Sequence, residues 1–72
     1  MATPMYPVNS SQLSYVGYDE ETQELFITFK NGSTYKYTDV PKYIFTNLRS
    51  TTSVGTYFSD FVKNSYEYTK IK

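Results

Sequence analysis

Glu24-Leu25-Phe26-Ile27-Thr28-Phe29-Lys30-Asn31-Gly32-Ser33-Thr34-Tyr35-Lys36-Tyr37-Thr38 is the stretch that decides the fold. Leu25, Ile27 and Phe29 alternate with Phe26, Thr28 and Lys30, the period-two pattern of a strand with one buried face. Tyr35 and Tyr37 resume the alternation after the turn. A two-residue loop at Asn31-Gly32 would pair Phe29 with Thr34 and Phe26 with Tyr37, scattering the apolar side chains over both faces. A three-residue loop, Lys30-Asn31-Gly32, with Gly32 left-handed, instead pairs Phe29 with Ser33, Ile27 with Tyr35 and Leu25 with Tyr37. Five apolar or aromatic side chains then share one face, so this register is expected. The other face carries Phe26 across from Lys36 and Thr28 across from Thr34, open to solvent.

Upstream, a strand is expected from Gln12 to Asp19. Val16 and Tyr18 share a face there while Leu13 is out of phase, which calls for a bulge or a two-sided strand. Gly17 marks a close backbone approach or a bend in the sheet. Tyr6-Pro7-Val8 is extended, because the residue before proline avoids the helical region. Residues 1–4 lack any pattern and read as a disordered lead-in, with Met5 as an alternative start and residues 5–72 as one domain. Downstream, Asp39-Val40-Pro41 is a helix start, with Asp39 at the positive helix end and Ile44, Phe45 and Leu48 at helical spacing over Pro41–Arg49. Ser53 then N-caps a second helix whose apolar face is Val54, Tyr57, Phe58, Phe61 and Val62, ending at Asn64-Ser65. Residues 66–72 alternate as an extended tail or a short edge strand. The expected architecture is α+β: a three-stranded antiparallel β-meander covered on one face by two short helices.

The chain is 72 residues long, so its core is marginal without heavy aromatic packing or a dimer, and its nine Tyr and five Phe supply such packing. It has no Cys and no His, which removes disulfides, thiolate metal sites and the commonest general base. No cofactor is expected, and an enzyme is the least favoured reading. No apolar run approaches the roughly 20 residues of a membrane span, and no secretory leader is visible, so a cytoplasmic protein is expected. Net charge is zero, but it is unevenly spread: Asp19, Glu20, Glu21 and Glu24 cluster in one loop. From Leu25 onward seven Lys and Arg face only Asp39, Asp60 and Glu67, which is seven minus three, or plus four. The acidic loop lacks the spacing and glycine of a calcium loop and reads as a solvated turn.

A set of motifs in order gives the chain a family resemblance: Val8-Asn9-Ser10-Ser11, Val16-Gly17-Tyr18-Asp19, Leu25/Ile27/Phe29, Gly32, Tyr35-Lys36-Tyr37, Val40-Pro41, Leu48 and Ser53-Val54-Gly55-Thr56-Tyr57-Phe58. From Met5 to about Ile71 it resembles the KTSC domain family, found at the carboxyl end of some lysyl-tRNA synthetases and as stand-alone bacterial or phage proteins. The resemblance implies a domain of unknown function, with RNA binding suggested by the synthetase association and Tyr-x-Tyr as its hallmark, here Tyr35-Lys36-Tyr37. Thr51-Thr52 departs from it, since an alanine is expected close to the serine.

Two groups of candidate site residues follow. Tyr35 and Tyr37 either stack on bases or, as the register suggests, pack towards the helices as core tyrosines with their hydroxyls at the edge. Phe26, Lys30 and Lys36 form the alternative nucleic-acid face, an aromatic with flanking cations on the exposed side of the sheet. The second group is Ser53, Gly55, Tyr57 and Arg49, with Ser10 and Ser11, at the start of the second helix. They are a candidate anion or ligand site, against the plain reading of a helix cap. The functional expectation is a non-enzymatic module for RNA or another polyanion. Alternatives are a protein-interaction module or phage-encoded inhibitor, monomeric or homodimeric, and a binder of a small nucleotide-like ligand.

Overall fold

The central hairpin adopts the expected register. In the computed structural model, which describes residues 3–72, strand β3 (Glu24–Phe29) pairs antiparallel with β4 (Thr34–Tyr37), placing Leu25 opposite Tyr37 and Ile27 opposite Tyr35. The Phe29 N–H donates to the Ser33 carbonyl at 2.8 Å, and Gly32 has φ +92°, the left-handed conformation that the three-residue loop requires. Phe26 lies across from Lys36 and Thr28 across from Thr34, whose hydroxyls are 3.0 Å apart.

Strand β2 (Leu13–Asp19) joins the other side of β3, and the register shifts between Leu13 and Tyr15. That bulge resolves the phase conflict: Leu13 and Val16 are both fully buried although three residues apart. The close approach at Gly17 is that of the chain's own beginning. A Cβ there would sit 2.7 Å from the Pro4 carbonyl oxygen and still closer to the Met5 sulfur. Of the lead-in expected to be disordered, residues 1–2 lie outside the described part, and Pro4 is the segment packed over Gly17.

Among the described residues the sheet has five strands, not three. Strand β1 (Met5–Pro7) adds to β2, β5 (Tyr68–Lys70) adds to β4, and the order β1-β2-β3-β4-β5 is an antiparallel meander throughout. Pro7 is tolerated because β1 is an edge. The Val8 N–H donates inward to the Ser14 carbonyl at 3.1 Å, so by alternation the missing Pro7 donor falls on the outer side.

Helices α1 (Lys42–Ser50) and α2 (Val54–Phe61) cover one face. Ile44, Phe45 and Leu48 of α1, and Val54 and Phe58 of α2 with the following Val62, close over Leu13, Val16, Tyr18, Leu25, Ile27 and Tyr37. The expected α2 face was too wide by one residue: Tyr57 is half-buried and packs against the core, whereas Phe61 is exposed and leans on the Tyr57 ring at 4.7 Å. Asp39 does not serve the helix start, and no acidic residue lies in the first turn of α1. Asp39 takes φ +56° and Pro41 is the N-cap, because buried Val40 is pinned from both sides. Its N–H donates to the Gln23 carbonyl, and its carbonyl accepts the Tyr18 hydroxyl at 2.5 Å. Ser53 occupies the N-cap position of α2 but its hydroxyl makes no cap bond; at φ −120°, ψ 64° its own N–H is held by the Thr51 hydroxyl at 3.1 Å.

Candidate nucleic-acid interface

The two helices leave the inner side of β4 and β5 partly uncovered, and an aromatic groove forms there beside the end of α2. It encloses about 360 Å³. Its walls are rings: Phe29, Tyr35 and Tyr37 from the hairpin, Phe58 from α2 and Tyr68 from β5. The strand register dictates this grouping, since Tyr35 and Tyr37 share a face with Phe29, and Tyr37 lies opposite Tyr68. Tyr35 meets Phe29 edge-on at 5.5 Å and Tyr37 meets Phe58 edge-on at 5.7 Å, while Tyr68 leans on both tyrosines at 5.5 Å. Tyr37 is the floor, 4% exposed, and Tyr68 the outer wall, 58% exposed. Burial, then the neighbouring phenols of Tyr68 and Tyr35, push the Tyr37 hydroxyl up to about 12, so it stays neutral at physiological pH. Gln12, Asn31, Ser59 and Asn64 add polar atoms to the rim, and Lys63 a cation. The Asn31 carboxamide oxygen is taken up by the Ser33 N–H at 2.9 Å.

Charge is polarised along the strands. At the β2–β3 loop end, Lys42 pairs with Glu20 and Lys36 with Glu24, the latter at 3.2 Å. Contact with Glu20 holds the Lys42 ammonium above its ordinary pKa. At the opposite end Lys30 follows β3, Lys63 follows α2, and Lys70 lies opposite Tyr35 on β5. Among the described residues none of these three has a carboxylate within 4 Å. A chain of zero net charge thus presents a basic end beside a stack of rings.

The candidate nucleic-acid residues divide between the two sides of the sheet. Tyr35 and Tyr37 are in the groove. Phe26 and Lys36 lie on the outer face, where Phe26 is half-buried opposite Gly17 and the Lys36 charge is answered by Glu24. Lys30 is exposed at the hairpin tip, its N–H donating to the Gln12 carbonyl at 2.9 Å. The second group does not converge either. Ser53 and Gly55 line a cleft with Ser10 and Ser11, but Tyr57 faces away, accepting from the Asn47 carboxamide at 2.9 Å, and Arg49 lies in a separate cleft over the ring of Tyr6. Sequence reasoning passed over Tyr68 and Lys70 as site residues, and placed Lys63 only as a flank of the helix-start anion site, not in this groove. The alternation of Tyr66, Tyr68 and Lys70 was the one signal that could have found the first two.

The fold and the groove define a small α+β domain: a five-stranded meander, two helices on one face, and an aromatic groove where the second helix stops short. The chain belongs to the KTSC domain family, whose model matches residues 9–66. Its fold is that of a KTSC domain protein from Yersinia pestis, with a TM-score of 0.91 and 35% identity over 99% of this chain and 100% of that one. A protein of Tsukamurella paurometabola is 39% identical over 59 residues, covering 82% of this chain and 88% of its own. A lysine–tRNA ligase of Nostoc punctiforme is 30% identical over 71 residues, 99% of this chain but only 13% of that enzyme.

Proposed function

We propose that this domain is a non-enzymatic, cytoplasmic module that binds unpaired RNA, stacking bases on the rings of the groove and placing phosphates among Lys30, Lys63 and Lys70. The observation that carries this reading is the coincidence of the two features: the lysines without carboxylate partners lie at the end where Phe29, Tyr35 and Tyr68 are accessible. Stacking on an aromatic is worth about 1–3 kcal/mol per base and tolerates any sequence, whereas the lysines add a salt-dependent term. The matching segment in a lysine–tRNA ligase, an enzyme named for its tRNA substrate, accords with it. Fluorescence anisotropy of a labelled, unstructured RNA at 50 and 200 mM salt tests it. Binding should weaken steeply with salt and drop by about 1–3 kcal/mol in Tyr68→Ala. No binding at the lower salt would sink the reading.

A protein partner remains the second reading, supported by the outer sheet face. There Tyr15 is 46% exposed and Met5 36%, beside half-buried Phe26 and the neutralised pair Lys36–Glu24. Loss of a pulled-down partner on Tyr15→Ala together with Phe26→Ala, with RNA binding intact, would favour it.

A further inference from the structure

The aromatic groove does not end at its own rim. Gln12 and Ser59 line both the groove and a second cleft, of about 410 Å³, where residues 9–12 face the start of α2. Asn9, Thr52 and Val54 in turn line both that cleft and a third, of about 330 Å³, which reaches Arg49. The three depressions are separate but adjoin one another through these shared residues, in a row from Lys63 to Arg49.

Its chemistry changes along the way. The first third is rings. The middle third is lined by the hydroxyls of Ser10, Ser11, Ser53 and Thr56, with Gly55 leaving it open: a Cβ there meets nothing nearer than 3.5 Å. The last third ends in a guanidinium held in one orientation. Its carbon stands 4.0 Å over the Tyr6 ring and 5.6 Å from that of Phe45. Among the described residues it has no carboxylate within 4 Å and makes no side-chain hydrogen bond, so its in-plane donors are unspent. Flat rings, then neutral donors and acceptors, then a fixed fork of N–H groups match a base, the sugars that follow it and a phosphate further along the chain.

Resting on the RNA-binding reading, we infer that the bound strand continues out of the groove past Gly55 and that a later phosphate is gripped by Arg49. The ligand is then a single-stranded segment, at the short end of the roughly 4–16 nucleotides that a small single-strand-binding fold covers.

Labelled oligouridylates of about two, four, six and eight nucleotides, titrated by anisotropy, test this. Affinity should climb with length until the row is filled. Arg49→Gln should weaken the longer strands about tenfold while leaving the dinucleotide unchanged, because one charge-assisted phosphate contact is lost. Arg49 also packs on Tyr6, so Gly55→Leu, which obstructs the middle third without touching that stack, should give the same length-selective loss. Circular dichroism shows whether each variant is folded. Affinity that is flat beyond two nucleotides, or folded variants that bind long strands as the parent does, overturns the continuation and leaves the groove reading standing. Failure of the parent to bind any length overturns both.

Discussion

The two ends of the sheet differ in how completely their polar groups are answered. At the β2–β3 end, Lys42 and Lys36 have carboxylate partners, the Asp19 carboxylate accepts the Glu21 N–H at 3.0 Å, and the Tyr18 hydroxyl closes on the Val40 carbonyl. At the β3–β4 end, Lys30, Lys63 and Lys70 have no such partners among the described residues, and the Tyr68 ring is more than half exposed. A domain this small has few interactions to spare, so an end left unanswered costs stability that satisfied contacts could have supplied. The contrast separates an end whose polar groups are answered within the chain from an end whose lysines are left to solvent, which is where the proposed RNA contacts fall.

Removing the Tyr18 hydroxyl should break the satisfied end. Tyr18→Phe leaves the Val40 carbonyl, in a fully buried residue, without its partner, and should cost about 1–3 kcal/mol in urea unfolding. An unchanged midpoint would show that this bond does not hold the α1 entry. A smaller effect is expected with alkali. Tyr37 titrates at 10.0 when exposed and at about 12 in the groove floor, so between those values the unfolded chain releases a proton that the folded chain keeps. The stability that neutral Tyr37 contributes is therefore complete below pH 10 and is lost as pH rises towards 12. Tyr37→Phe should flatten the decline in thermal midpoint over that window, and an equally steep decline would place the titrating group elsewhere. The smallest effect sharpens the comparison: Lys63→Glu with Lys70→Glu should stay within about 0.5 kcal/mol of the parent stability while removing RNA binding. A large loss of stability would mean that the open end is structural after all.

The central hairpin was legible because alternation, one glycine and the need to put five side chains on one face leave a single register. The bulge after Leu13 and the buried stripe of α1 followed from the same counting of periods. Strand β5 was legible only as one of two readings, an extended tail or a short edge strand, and β1 was not legible as a sheet member, since Pro7 argues against pairing until the edge geometry is known. Ser53 looked like a cap because its type and position were right, but its hydroxyl makes no cap bond, and its backbone N–H is held by the Thr51 hydroxyl at ψ 64°, outside the extended geometry of an ordinary cap. The groove was the least legible feature. It draws Gln12, Phe29, Phe58, Lys63 and Tyr68 from segments whose proximity only the closed meander creates, and Tyr35 and Tyr37 gave one wall of it without the others.

The proline in β1 also makes the two borders of the sheet unlike. Across β4 and β5, the Ile71 N–H reaches the Thr34 carbonyl and the Glu67 carbonyl accepts from the Thr38 N–H, so by alternation Tyr68 and Lys70 turn their backbone groups outward. The β5 border can therefore accept another strand, while the β1 border lacks a donor at Pro7. The two borders therefore differ as edges: one presents its outward backbone groups, and the other is interrupted by a proline, a feature that discourages open-ended strand addition.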